Sequence, residues 1–155
     1  MPSRKPEVLF LCTGNSARSQ MAEAYLRHVA GDEFEALSAG IDPKGLNPLA
    51  IEVMSEIGID ISKQRSKDVR EFFGRAIPYV ITVCDNAREH CPIFLGTHKA
   101  LHWSLEDPAA ASGSRDEKLE VFRRIRDELR RRIDEELVAL FRAPKGVPTQ
   151  QRGAE

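Results

Sequence analysis

The chain is short of cysteine, of net charge and of long apolar runs, and each shortage removes a class of protein. Three cysteines in 155 residues are an odd and sparse set, whereas a secreted disulfide framework favours an even, denser count. The chemistry of Cys12, Cys84 and Cys91 is therefore the question, not their bracing. Lys and Arg number 23 against 24 Asp and Glu, a formal charge of -1. No global field is available to hold a polyanion, so nucleic acid is not expected as a partner. The longest apolar stretches, such as Val8 to Cys12 and Ala76 to Cys84, fall far short of the ~20 residues of a membrane span. The opening Met1-Pro2-Ser3-Arg4-Lys5-Pro6 lacks the apolar region of a secretory signal. A cytoplasmic protein without a membrane partner is expected.

What is present suits one globular domain. Hydrophobic residues make up 41% of the chain, and a chain of this length can bury close to ~70% of its unfolded surface. Glu7-Val8-Leu9-Phe10-Leu11 reads as a buried strand, and the small polar residues from Cys12 to Ser19 as a tight loop opening into a helix. From Ser16 the helical period carries Met21, Ala24, Tyr25, Leu26 and Val29, with Gly31 placed as a C-cap. Phe34 to Ala39 alternates like a second strand. Asn47 and Pro48 start a second helix, which Gly58 closes. Tyr79 to Cys84 and Ala100 to Trp103 read as a third and a fourth strand.

Arg115 to Arg142 is a long amphipathic helix with Leu119, Phe122, Ile125, Leu129, Ile133, Leu137 and Leu140 inward. Its nine basic and eight acidic residues describe a solvated mixed-charge face better than a nucleic-acid surface. Strands alternating with helices predict an α/β fold with a parallel sheet covered on both faces. The single catalytic domain is placed at residues 1–142. The Pro, Gly and Gln rich tail at 143–155 is expected to be disordered.

Ligands of open α/β sheets bind beyond the carboxyl ends of the strands. Cys12 stands at the end of the first strand and at the mouth of a helix whose amides point toward it. In the loop, Gly14 lets the backbone approach closely, Asn15 and Ser16 can hold a strained turn, and the planar fork of Arg18 matches a tetrahedral oxyanion. Amides and a guanidinium favour a thiolate over a thiol. Ser19, one turn into the helix, can donate to the same sulfur. Cys84 and Cys91 lie seven residues apart, two turns or ~10 Å if helical. A disulfide needs Cα atoms within ~7 Å, so the segment would have to loosen before the two could join.

Cys12-Thr13-Gly14-Asn15-Ser16-Ala17-Arg18-Ser19 resembles the phosphate-binding loop of the low-molecular-weight protein tyrosine phosphatase superfamily. That resemblance implies a four-stranded parallel sheet flanked by helices, and the strand-loop-helix pattern agrees with it independently. The superfamily's general acid is an Asp-Pro pair late in the chain, which matches Asp107-Pro108. The tyrosines that grip an aromatic substrate in the phosphatase branch have no counterpart in Ala109-Ala110-Ala111-Ser112-Gly113.

Val83 to Pro92 instead resembles the redox segment of thioredoxin-coupled arsenate reductases, a branch of the same superfamily, and His102-Trp103 fits that branch too. The resemblance covers roughly Val8 to Arg142. It implies that Cys12 attacks arsenate held by Arg18 and the loop amides while Asp107 protonates the departing oxygen. Cys84 and then Cys91 carry the resulting disulfide toward thioredoxin, and arsenite leaves, with phosphate and sulfate as analogues of the substrate. No metal or organic cofactor is implied for that chemistry. Some relatives hold a potassium ion through residues matching Asn15, Glu23, Ser38 and an acidic group near Lys67; here the Lys67 ammonium could replace the ion, or a one-residue slip could bring Asp68 there. Two other functions use the same residues: a phosphomonoester or phosphotyrosine hydrolase needing only Cys12, Arg18 and Asp107, and a non-catalytic thiol sensor.

Overall fold

The structure is a computed structural model, and it describes residues 5–143. The expected disorder of the tail falls, apart from Ala143, outside those residues. Four parallel strands form one sheet in the order β2-β1-β3-β4: β1 is Glu7–Cys12, β2 Glu35–Gly40, β3 Tyr79–Thr82 and β4 Lys99–His102. Val8, Leu9, Phe10 and Leu11 of β1 are fully buried, as a central strand covered on both faces requires. Parallel neighbours need crossovers, and the helices supply them. They are α1 (Arg18–Ala30), α2 (Pro48–Ser55), α3 (Asp85–Glu89), α4 (Arg115–Ile133) and α5 (Ala139–Phe141). Among the described residues no helix is long and apolar enough to cross a membrane.

The helix starts follow local chemistry. Asn47 caps α2 by accepting from the Leu49 amide, with Pro48 first in the helix. Ser114 and Glu117 form a reciprocal capping box on α4. By contrast α1 begins after Ala17 with no side-chain cap. Its first amides are left for another acceptor, and they face the loop that carries Cys12.

Two expectations needed correction. The third strand ends at Thr82, two residues early, because Cys84 turns out of the sheet to cap α3 with its own sulfur, accepting from the Ala87 amide at 3.4 Å. The long C-terminal helix is not uniform: α4 passes at Asp134–Val138 into a wider turn before α5. There Asp134 accepts from the Tyr25 hydroxyl and Glu136 from the Trp103 indole. An extra residue in that turn advances the apolar face. Val138 joins Leu137 inside, and Leu140, expected inward, is 46% exposed.

Candidate active site

The register of the sheet places the site. Cys12 pairs with Gly40 at the carboxyl end of β1, and β3 ends beside it. Between β1 and α1 the loop closes around the Cys12 sulfur, which is buried. The Asn15 amide donates to it at 3.1 Å, and the Ser19 hydroxyl lies 2.8 Å away. Ser19 accepts from the Asn15 side-chain amide at 2.7 Å, which leaves its own hydrogen for the sulfur. Two donors, the Asn15 amide and the Ser19 hydroxyl, thus converge on the Cys12 sulfur.

Asn15 has φ +47°, in the left-handed region where a non-glycine residue needs local hydrogen bonds to hold it. Its side chain is fully engaged. Its Nδ2 donates to Ser19 and to Ser38, and its Oδ1 accepts from the Lys67 amide at 2.7 Å and from Gln20 at 2.9 Å. Gln20 also donates to the Asn15 and Arg65 carbonyls. Sequence reasoning missed Gln20; a glutamine on a helix face carries no signal that distinguishes a buried brace from a solvated side chain.

Gly40 was missed as well. A Cβ there would stand 2.7 Å from the Thr13 carbonyl oxygen and 2.9 Å from the Asn15 amide nitrogen, and neither backbone atom can swing aside. Gly40→Ala is expected to cost about 1–3 kcal/mol of stability and to weaken phosphate binding at least tenfold by displacing the loop. Denaturant unfolding alongside phosphate titration calorimetry checks this; unchanged affinity would mean that the loop tolerates the shift.

Arg18 is buried. Its Nη1 donates to the Leu105 carbonyl at 2.9 Å, and its Nη2 lies 3.8 Å from Asp107 Oδ1. One guanidinium therefore joins the Cys12 loop to the segment carrying Asp107. Asp107 is half-exposed and accepts from the Ala109 amide at 3.0 Å, at the head of a short 3₁₀ turn begun by Pro108. Cys12, Arg18 and Asp107 share a cavity of about 450 Å³, ample for a tetrahedral oxyanion. Both tyrosines stand apart from it: Tyr25 bonds Asp134, and Tyr79 begins β3.

The other two cysteines differ from each other. Cys84 is buried, with its sulfur 3.2 Å from the Thr13 hydroxyl. Thr13 accepts from the Asn86 side chain at 3.0 Å, so its hydrogen is free for that sulfur. Thr13 follows Cys12 in the chain, so the structure brings Cys84 to the rim of the loop. Cys91 is half-buried and packs against the core, its sulfur hydrogen-bonds the Pro92 carbonyl, and burial pushes its thiol pKa up. Arg88 and His90 lie between the two cysteines in sequence; the His90 ring bonds the Asn86 carbonyl, and neither residue bonds a sulfur among the described residues.

A cation pocket adjoins the loop. Ser38 donates to Glu23, and the Lys67 ammonium lies 3.3 Å from Glu23 Oε1, 3.3 Å from the Ser38 hydroxyl and 3.0 Å from the Arg65 carbonyl. Asp68 points elsewhere, accepting from the Arg70 backbone and guanidinium, which hold its carboxyl below the usual range. The residues present do not suit a potassium ion, because an ammonium already fills the space between Glu23 and Ser38.

A buried thiol in an amide-lined loop, with an arginine inside and a carboxyl at the rim, is a site whose size and donors suit a tetrahedral oxyanion, at the carboxyl end of a parallel α/β sheet. More particularly, residues 7–145 match the family described as low molecular weight phosphotyrosine protein phosphatase, and the chain belongs to it. It is similar to an arsenate reductase of Halalkalibacterium halodurans, 46% identical over 129 residues covering 83% of this chain and 93% of that one. Among solved structures it is similar to an arsenate reductase in an oxidized state, with TM-score 0.75 and 34% identity over 86% of this chain and 97% of the other. A thioredoxin-dependent arsenate reductase of Corynebacterium glutamicum aligns with TM-score 0.66 at 34% identity, covering 90% of this chain and 65% of that one.

Proposed function

We propose that this protein reduces arsenate to arsenite through a relay from Cys12 to Cys84 to Cys91, recharged by thioredoxin. The observation that carries the reading is the placement of Cys84, a helix-capping sulfur 3.2 Å from the hydroxyl of Thr13, the residue next to the loop nucleophile. Arsenate is isosteric with phosphate, so Arg18 and the amides of Asn15 to Ser19 bind it. The Cys12 thiolate attacks arsenic, and Asp107 gives a proton to the oxygen that leaves as water. Cys84 then attacks the Cys12 sulfur. The electron pair of the S–As bond passes to arsenic, which departs as arsenite, and a Cys12–Cys84 disulfide remains. Cys91 attacks Cys84, frees Cys12 and leaves a Cys84–Cys91 disulfide for an external dithiol. Two electrons have moved from thiols to arsenic, and the thiols carry them without a metal or organic cofactor. Such a cycle belongs in the reducing cytoplasm.

The order of the relay agrees with the two thiol environments. The Cys84 sulfur sits between the Thr13 hydroxyl and the Ala87 amide beside the Cys12 loop, whereas burial raises the Cys91 thiol. Cys91 becomes an effective nucleophile once its segment loosens, which is when it is needed. Ester hydrolysis would require only Cys12, Arg18 and Asp107, but no tyrosine lines the cavity to grip an aromatic ester. The test is NADPH consumption with thioredoxin and thioredoxin reductase, with and without arsenate, beside hydrolysis of a chromogenic phosphate ester. Arsenate-dependent consumption supports the relay; ester hydrolysis without it would make Cys12 a phosphatase nucleophile.

The Lys67 ammonium reaches Glu23 and Ser38 from the loop side, while the Arg27 guanidinium pairs with the other Glu23 oxygen; together they steady Glu23, Ser38 and through them Asn15. Turnover is expected to be the same in sodium and potassium at constant ionic strength, while Lys67→Asp should make it rise with potassium. A marked potassium activation of the unaltered protein would show that Lys67 does not hold the place of the ion.

A further inference from the structure

The His102-Trp103 pair takes no part in the chemistry above, yet His102 connects two parts of the site. Its ring is mostly buried on β4. The Thr82 hydroxyl lies 2.7 Å from Nδ1, and Nε2 lies 2.8 Å from Asp85 Oδ1. With Thr82 donating to Nδ1, the Nε2 hydrogen goes to the Asp85 carboxylate. The Ser104 hydroxyl donates to the same oxygen at 3.3 Å. Asp85 is the first residue of α3, directly after Cys84.

The two ends of this chain of bonds rest on different supports, one in the sheet and one on α3. Thr82 and His102 are paired across β3 and β4, and the Trp103 and Val83 amides are both bonded into the sheet. Asp85 instead leads the helix that must unwind, because the Arg88 amide bonds the Cys84 carbonyl and the His90 amide the Asn86 carbonyl. Those bonds keep Asp85–Glu89 helical at ~1.5 Å of rise per residue, and closing a disulfide between the two cysteines requires that segment to loosen. The bond from Nε2 to Asp85 therefore runs from the fixed sheet to the moving helix, and it belongs to the reduced form.

We propose that His102 and Asp85 are positioning residues that brace the redox helix in its reduced geometry and thereby raise the reduction potential of the Cys84–Cys91 disulfide. This rests on the relay proposed above. Reducing that disulfide takes two electrons and two protons from a dithiol, which becomes a disulfide in turn, and yields the Cys84 and Cys91 thiols. Whatever stabilises the dithiol form favours that transfer and so the recharging by thioredoxin.

The test equilibrates the Cys12→Ser protein with dithiothreitol and its cyclic disulfide in varied ratios, counting free thiols by alkylation and mass spectrometry. Asp85→Ala and His102→Phe are each expected to shift the equilibrium about fivefold toward the protein disulfide, or ~20 mV at 29.6 mV per decade. The double variant should shift no further than either single one. His102→Gln keeps a donor near the Nε2 position and should stay close to the parent. Full additivity would assign the Asp85 effect to its charge at the helix start instead, and overturn the brace, as would unchanged potentials. If the parent forms no Cys84–Cys91 disulfide at any ratio, the relay fails. The brace is then decided by amide exchange across residues 85–90 of the reduced protein: faster exchange in Asp85→Ala and His102→Phe sustains it, unchanged exchange overturns it.

Discussion

Cys84→Ser is expected to leave a protein that binds arsenate and phosphate normally, yet whose thioredoxin-coupled turnover falls by more than roughly 10³-fold, the scale of losing a nucleophile. Binding survives because Cys84 lies at the rim of the anion loop: its sulfur touches Thr13 and Ala87, while Arg18 and the loop amides are untouched. Serine can still cap α3, so the fold persists. It cannot attack a sulfur to take over the S–As bond, so arsenic is held at Cys12 and no arsenite is released.

Cys91→Ser should fail differently. Cys84 still completes the reduction once, so a single enzyme equivalent of arsenite appears and a Cys12–Cys84 disulfide accumulates. Quenched-flow arsenite assay with mass spectrometry of the trapped enzyme separates the two variants. If Cys91→Ser still turned over many times with thioredoxin, the third step would be wrong, and the Cys12–Cys84 disulfide would itself be the substrate of the external dithiol.

The contrast between those variants also marks what sequence could reveal. Cys12, Arg18 and the small residues between them were readable because strand, tight loop and helix follow one another along the chain, each imposing its own residue types. The sheet followed from the alternation of apolar strands with helices. Gln20, Gly40 and the His102–Asp85 bond were not readable. Their partners lie far off in sequence: Gln20 reaches the Arg65 carbonyl, Gly40 faces Thr13 and Asn15, and His102 meets Asp85 across a helix start. No periodicity encodes such meetings. The end of β3 was misplaced for a similar reason, since a cysteine reads as a strand residue until its sulfur is seen to accept from the Ala87 amide. The choice between Lys67 and Asp68 also needed coordinates, because a one-residue shift reverses the charge offered to Glu23.

Arg18→Lys carries the second large effect. It preserves a positive charge in a buried position, so any loss reports on shape more than on charge. The guanidinium has two tasks at once: its Nη1 ties the Leu105 carbonyl, and its Nη2 lies 3.8 Å from Asp107 Oδ1 at the cavity both residues line. A lysine ammonium is a single strongly hydrated point and cannot span both. Either it grips the anion and frees the segment from Leu105 to Asp107, or it holds Leu105 and leaves the anion one donor short. In both cases the proton donor and the oxyanion lose their common reference, and kcat/KM for arsenate is expected to fall about 10² to 10³ fold, as when one preorganised donor to an oxyanion is removed. Phosphate should weaken as a competitive inhibitor in parallel, while unfolding in denaturant changes little, because Asn15, Ser19 and Gln20 still hold the loop. Steady-state kinetics with phosphate competition reads both quantities. A loss below threefold would mean that the amides at the start of α1 bind the anion almost unaided, and that Arg18 serves chiefly to anchor the segment carrying Asp107.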